Sequence, residues 1–285
     1  VDWTQNLSGT CLVGYPDDEG IRLNKGRVGA HLGPDGVRQF LYRMTPSPFL
    51  PVNFEISDLG NIKVEGHLEE RHEFARGLIY NLARRQKRWI SIGGGHDYGY
   101  SDSCGFTEAL KNSEHKPLVI NFDAHLDVRP TDQGFNSGTP YYRLLEEWAD
   151  AIHFIEVGIQ PQCNSRGHLQ YVLDHGGKVI SIDDVHQKGL LNSLLESLPE
   201  QTKTNTFLSV DIDVFSSSEA PGCSQSWPSG ISAVEFIKTF RQLMSQLNVY
   251  GLGLYEVSPP LDVNSNTQRL AALTAYEFLI HSTLN

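Results

Sequence analysis

Eight short apolar runs, interleaved with stretches of helical periodicity, limit the fold of this chain more than any other feature. The runs cover residues 10–14, 53–57, 89–92, 118–122, 152–157, 178–182, 206–210 and 250–255. Helical spacing appears over 34–44, 67–85, 139–148, 164–175, 189–198, 233–247 and 268–282. The clearest case is 67–85, where Leu68, His72, Ala75, Leu78, Ile79 and Leu82 fall on helical positions. Alternation of this kind implies α/β architecture, with a mostly parallel sheet and crossover helices. Near-continuous apolar strands imply a sheet covered on both faces. No low-complexity linker or internal repeat divides the 285 residues, so residues 1–285 read as one domain. Periodicity leaves strand order open, and eight strands also permit a closed barrel.

Bulk properties remove several classes of partner. A formal net charge of −11 argues against nucleic acid and anionic membranes. The one dense basic run, residues 84–88, sits where a helix should end and complements its dipole. No apolar stretch approaches the roughly 20 residues needed to cross a bilayer. The first residues, Val1-Asp2-Trp3-Thr4, show no basic region followed by an apolar core. Cys11, Cys104, Cys163 and Cys223 are scattered, without a C-x-x-C pair. Free thiols in a reducing, cytoplasmic setting are the expectation.

Three segments carry acids and imidazoles directly after apolar runs: Gly93-Gly94-Gly95-His96-Asp97, Asp123-Ala124-His125-Leu126-Asp127 and Ser209-Val210-Asp211-Ile212-Asp213. Open α/β sheets place their sites at the carboxyl ends of strands. In an extended backbone, Asp123, His125 and Asp127 share one side, as do Asp211 and Asp213. Taken singly, each segment is an ordinary turn or cap. Together they would bring four carboxylates to one place, and their repulsion calls for cations. Carboxylate and imidazole without thiolate suit Mn²⁺, Fe²⁺ or Zn²⁺. Six ligand groups, His96, Asp123, His125, Asp127, Asp211 and Asp213, exceed the needs of one catalytic ion and fit two ions roughly 3.5–4 Å apart. The three glycines lack the spacing of a phosphate loop and instead let the backbone bend close to the site. The remaining histidines form no comparable cluster and are expected to be surface or packed residues.

These segments together resemble the ureohydrolase (arginase/agmatinase) family over residues 12–280, and within it the formimidoylglutamases most closely. The resemblance implies a three-layer α/β/α sandwich on a mostly parallel eight-stranded sheet, which decides against the barrel. It implies two Mn²⁺ per subunit, one held by His96, Asp123, Asp127 and Asp211, the other by Asp123, His125, Asp211 and Asp213. The stretch 251–262, G-L-G-L-Y-E-V-S-P-P-L-D, matches the family's final signature, in which Glu256 would hold a cationic amidine or guanidine. Residues 18–30, 127–130, 137–140 and 220–222 are similar to the formimidoylglutamase subgroup. Segment 222–228, with Trp227, departs from it. The imidazole that arginase carries after its D-A-H-x-D segment has no counterpart between Arg129 and Glu146. The family also implies a homo-oligomer.

The expected activity is therefore hydrolysis of N-formimidoyl-L-glutamate to L-glutamate and formamide, with Asp127 moving the proton and Glu256 pairing with the amidine. A small anionic amidine or guanidino substrate follows from Arg129, whose forked donors suit a carboxylate and would repel agmatine. The loop 158–165 offers neutral amides and hydroxyls, with no acid for an α-ammonium. Asn136, Ser137 and Thr139 are expected to orient the substrate carboxylates with Arg129, with Arg22, Asn24 and Arg27 as further candidates. A guanidino-acid hydrolase releasing urea is the alternative within the class. A metal-stabilised scaffold without activity, and a two-metal phosphoesterase, are the alternatives outside it.

Overall fold

A computed structural model describes residues 7–50, 53–200 and 203–284. Its strands are β1 (Thr10–Gly14), β2 (Ile56–Asn61), β3 (Trp89–Ile92), β4 (Leu118–Phe122), β5 (His153–Ile159), β6 (Lys178–Ser181), β7 (Asn205–Asp211) and β8 (Asn248–Tyr255). They form one open, eight-stranded sheet in the order β2-β1-β3-β8-β7-β4-β5-β6. Every pairing is parallel. The helices are α1 (Glu19–Leu23), α2 (Gly33–Leu41), α3 (Leu68–Arg84), α4 (Tyr98–Leu110), α5 (Pro140–Trp148), α6 (Arg166–Asp174), α7 (Ile182–Lys188), α8 (Leu190–Leu195), α9 (Ala233–Gln246) and α10 (Asn266–Ser282).

Strand periodicity sorts the core into two layers. Leu118, Ile120 and Phe122 of β4, with Leu208 and Val210 of β7, pack against residues of α2, α7, α8, α9 and α10. Val119 and Phe207, one position out of phase, pack on the opposite face with residues of α3, α4, α5 and α6. Both faces are thus covered, which is why the central strands read as unbroken apolar runs. The sheet is an α/β/α sandwich and not a barrel, because β2 and β6 are free edges.

Three departures from the sequence reading have clear causes. Strand β2 lies at Ile56–Asn61 and not at 53–57. It is a half-exposed edge strand without an apolar run. Helix α4 was not expected at all. Its residues Tyr98 to Thr107 are all buried, so it has no polar face to mark a helical period. Ile182 belongs to α7 rather than to the preceding strand, since Ser181 caps that helix by accepting a bond from the Asp184 amide.

Candidate metal centre

The centre of the sheet gathers the acidic segments. Strands β3, β8, β7 and β4 are neighbours, and each runs into a segment that carries a candidate site residue. His96 lies on the turn after β3 and Glu256 follows β8. Asp211 ends β7, with Asp213 in the turn beyond it, and Asp123 opens the loop that carries His125 and Asp127. Glycine is required in the first turn, where a side chain on Gly94 would overlap the Asp17 carbonyl and one on Gly93 would enter the Tyr255 ring. Gly93 and Glu256 then bond across the turn, N–H to carbonyl, to Leu254 at 2.7 Å and Gly94 at 2.8 Å respectively.

Asp123 faces both imidazoles. Its Oδ2 lies 3.0 Å from His96 Nδ1, and its Oδ1 lies 3.4 Å from His125 Nδ1. Asp127 Oδ2 and Asp211 Oδ2 complete the first group at 3.1 and 3.2 Å from His96 Nδ1. Asp213 Oδ2 completes the second, 3.1 Å from His125 Nδ1. All six sequence-predicted ligands therefore meet in one place. His96–Asp123–Asp127 and Asp123–His125–Asp213 each bring their ligand atoms within 4.8 Å of one another. His96 Nδ1 is buried and makes no hydrogen bond despite its three carboxylate neighbours. The donor set fits a pair of divalent cations sharing Asp123. That orphaned nitrogen is open to a cation.

The electrostatics agree. Burial, and then the charges of Asp213 and Asp123, push the Asp211 carboxyl well above the carboxylate range. Asp127 is raised by burial and by Asp123. Asp213 is raised by burial to about 6, even with His125 pulling it down. Burial also opposes the charge of Asp123, but His125 and His96 outweigh it and hold that carboxyl low. Both imidazoles are raised well above their ordinary value against the effect of burial. Without cations, protons on the imidazoles and acids perform the neutralisation.

A row of polar residues one step below the ligands supports them. In register across the sheet stand Ser91 (β3), Gly253 (β8), Ser209 (β7), Asn121 (β4) and Glu156 (β5). His96 Nε2 meets Ser209 Oγ at 3.0 Å and Tyr141 Oη at 3.1 Å. The Tyr141 hydroxyl can donate to Asn121 Oδ1, and Asn121 Nδ2 donates to Glu156 Oε2. With a proton on Nε2 held by these hydroxyls, His96 would present Nδ1 to a cation. Tyr255 stacks on the His96 ring, with centroids 4.9 Å apart, and its hydroxyl donates to buried Asp102 at 2.6 Å. Tyr141, Tyr255, Asp102, Asn121 and Glu156 escaped the sequence reading. Their signal was polar residues inside strands and a helix buried on all sides.

Above the ligands lies a cavity of about 260 Å³ lined by His125, Asp127, Asp211, Asp213 and Glu256 and by Asn24, Arg129, Ser137, Gln162, Cys163 and Trp227, among others. A larger groove beside α3 shares none of these residues. Glu256 is buried, accepts a bond from the His96 amide at 3.2 Å, and is raised well above the carboxylate range by burial and then by Asp211. Asp127 and Glu256 both have left-handed backbones, with φ of 48° and 64°. That strain at non-glycine residues is tolerated where surrounding structure fixes the site.

The expected substrate contacts divide. Arg129 and Ser137 line the cavity, joined through Asn24, which accepts from Arg129 Nη1 and donates to Ser137 Oγ. Asn136 and Thr139 lie outside that lining. The Thr139 hydroxyl donates to the Asn136 carbonyl, and Asn136 Oδ1 accepts from the Gly138 amide, so both shape the loop instead. Arg27 donates to the carbonyls of Ser224 and Cys223, and exposed Arg22 pairs with Glu19. Of the N-terminal candidates, only Asn24 reaches the cavity. All four cysteines are free, and Cys163 and Trp227 face the cavity.

The sequence profile of the Arginase family matches residues 8–281. The chain belongs to this family. A formimidoylglutamase of Bacillus subtilis is 32% identical over 282 residues, covering 94% of this chain and 85% of its own. A Trypanosoma cruzi formiminoglutamase solved with Mn²⁺ superposes with a TM-score of 0.86 at 31% identity, covering 96% of this chain and 93% of its own. The proclavaminate amidino hydrolase of Streptomyces clavuligerus superposes with a TM-score of 0.80 at 25% identity, covering 97% and 92%. The arginase-like fold expected from sequence is the one found. Among the described residues, no helix is long and apolar enough to cross a membrane.

Proposed function

We propose that this chain is a manganese hydrolase of linear amidines that converts N-formimidoyl-L-glutamate and water into L-glutamate and formamide. The observation that carries the reading is the shared cavity of Arg129, Glu256 and the ligand cluster. One anion-binding fork, one buried acid and two cation positions match a substrate with carboxylates at one end and an amidinium at the other. The similar formimidoylglutamases, and the Mn²⁺ in the Trypanosoma cruzi enzyme, support the substrate and the metal.

His96, Asp123, Asp127 and Asp211 would hold one Mn²⁺, and Asp123, His125, Asp211 and Asp213 the other. Bound there, the ions supply a water whose pKa is lowered enough for attack near neutral pH. The remaining steps belong to the protein. Glu256, a buried carboxyl with no Lys or Arg paired to it among the described residues, ionises against the amidinium and sets its carbon in the cavity. Asp127 accepts the water's proton and delivers it to the leaving α-amine as the C–N bond breaks. Arg129, steadied by Asn24, takes a carboxylate, with Ser137 beside it. A guanidino acid would satisfy the same groups and release urea. The test is turnover with Mn²⁺ on formimidoylglutamate, guanidinobutyrate, arginine and agmatine, reading formamide against urea. Formamide from the first substrate alone is expected. Preference for a guanidino acid would overturn the assignment.

A further inference from the structure

Two loops meet at the site, one carrying His96 and the other Ser137, and one buried cation is linked to both, to the first through an imidazole. Arg143 on α5 is only 8% exposed. Its guanidinium lies between two rings, with Cζ 3.3 Å from the Tyr100 centroid and 3.7 Å from that of Phe135. Its Nη1 donates to His72 Nδ1 at 2.9 Å. Since that nitrogen accepts, the imidazole proton sits on Nε2, which donates to Asp97 Oδ2 at 2.7 Å. Among the described residues no carboxylate pairs with Arg143 directly. The ion pair is Arg143 to Asp97, split by a neutral imidazole. His72 and Asp97 are almost fully buried. Tyr100 is fixed in turn by donating to Glu147 Oε1 at 2.5 Å.

The two ends of this assembly meet the site. Asp97 follows His96 in the chain. Phe135 precedes Asn136 and Ser137, in the loop that also packs Gly138 against the Arg129 side chain. We propose that Arg143 is a positioning residue that sets two functions separately, the metal turn through His72 and Asp97 and the substrate loop through Phe135. A buried guanidinium suits this role because its edge forms directional bonds while its faces hold rings. Lysine cannot do both.

The test uses the full chain, stripped of metal and titrated with Mn²⁺ by calorimetry, and then assayed with Mn²⁺ present. Phe135→Leu changes a partly exposed residue. It should raise KM about three- to tenfold while leaving Mn²⁺ affinity within about twofold. His72→Phe should weaken Mn²⁺ binding about tenfold or more, with a smaller change in KM at saturating metal. Arg143→Met should do both. Arg143→Lys serves if the methionine variant does not fold. A folded Arg143 variant with KM and Mn²⁺ affinity both near wild type overturns the proposal. So does a result in which Phe135→Leu and His72→Phe shift the same quantity equally, the mark of general loosening. The KM arm rests on the proposed activity. The calorimetric arm does not, so if the wild-type chain leaves formimidoylglutamate intact, Mn²⁺ binding by the Arg143 and Phe135 variants still decides.

Discussion

Removing one hydroxyl, in Tyr255→Phe, isolates the buried acid behind the metal turn. Asp102 is fully buried, its two oxygens each accepting a tyrosine hydroxyl at 2.6 Å, from Tyr15 and from Tyr255. Burial raises its pKa from 3.8 to about 6, although the hydroxyls from Ser91, Tyr15 and Tyr255 pull it down. A carboxyl raised in the folded state favours folding below its unfolded pKa, and that contribution is lost as pH rises through the folded value. Here the loss falls between about pH 4 and pH 6 and amounts to about 3 kcal/mol. The Tyr255 hydroxyl offsets part of the loss, because its bond strengthens when Asp102 ionises. The variant keeps the ring on His96 and loses only that bond. At pH 8 the cost should be about 1.5–3 kcal/mol, the range for a bond to a charged group, and at pH 5 about 0.5–1.5 kcal/mol. Urea unfolding of the metal-free wild type and variant at both pH values measures the difference directly. Equal costs at pH 5 and pH 8 would refute the argument, since they would mean that Asp102 has the same charge at both.

Three further expectations concern the cavity. Glu256→Gln preserves an acceptor for the His96 amide, so Mn²⁺ content should stay near wild type while kcat/KM falls by about a hundredfold or more; an unchanged rate would remove Glu256 from the reaction. Arg129→Ala should raise KM for formimidoylglutamate by about ten- to a hundredfold, with a smaller effect on kcat, and Asn24→Ala should have the same sign at lower magnitude. Steady-state kinetics reads both, and an unmoved KM in the arginine variant would exclude it as the carboxylate clamp. Both imidazoles are raised above their ordinary value in the metal-free chain, so Mn²⁺ must displace protons, and its apparent affinity should rise with pH and fall as the medium is acidified. Calorimetry in buffers of different ionisation enthalpy should register that release, and identical heats in all buffers would contradict it.

Much of the framework was legible because the central strands are buried on both faces. An apolar run such as Leu-Val-Ile-Asn-Phe at β4 has no other economical reading. The cluster of acids and imidazoles was legible for a related reason. Acids directly after such runs need a counter-charge, and strand ends are where sheets gather them. Legibility failed where burial erased periodicity or was incomplete. Helix α4 has no polar face, and β2 has no apolar one. His72 passed as a packed histidine because Asp97 and Arg143 come to it from other elements. Thr139 read as a substrate contact from its neighbours in sequence. Only the fold shows its hydroxyl turned onto the Asn136 carbonyl.

The place of β8 in the sheet bears on how the chain is made. It is the last strand in sequence yet sits between β3 and β7, at the middle of the order. Until residues 248–255 leave the ribosome, the sheet cannot close and has two internal edges of apolar strand facing each other. His96 then stands on one side of the gap and Asp211 on the other, and the backbone bonds that tie the metal turn to Leu254 and Glu256 have no partner. The cluster is then divided, with Asp123, His125, Asp127, Asp211 and Asp213 together beside β4 and β7 and His96 across the gap. A chain cut short before β8 keeps all six of those side chains but leaves His96 apart from the others and the sheet with open inner edges, so errors late in synthesis expose this fold to aggregation.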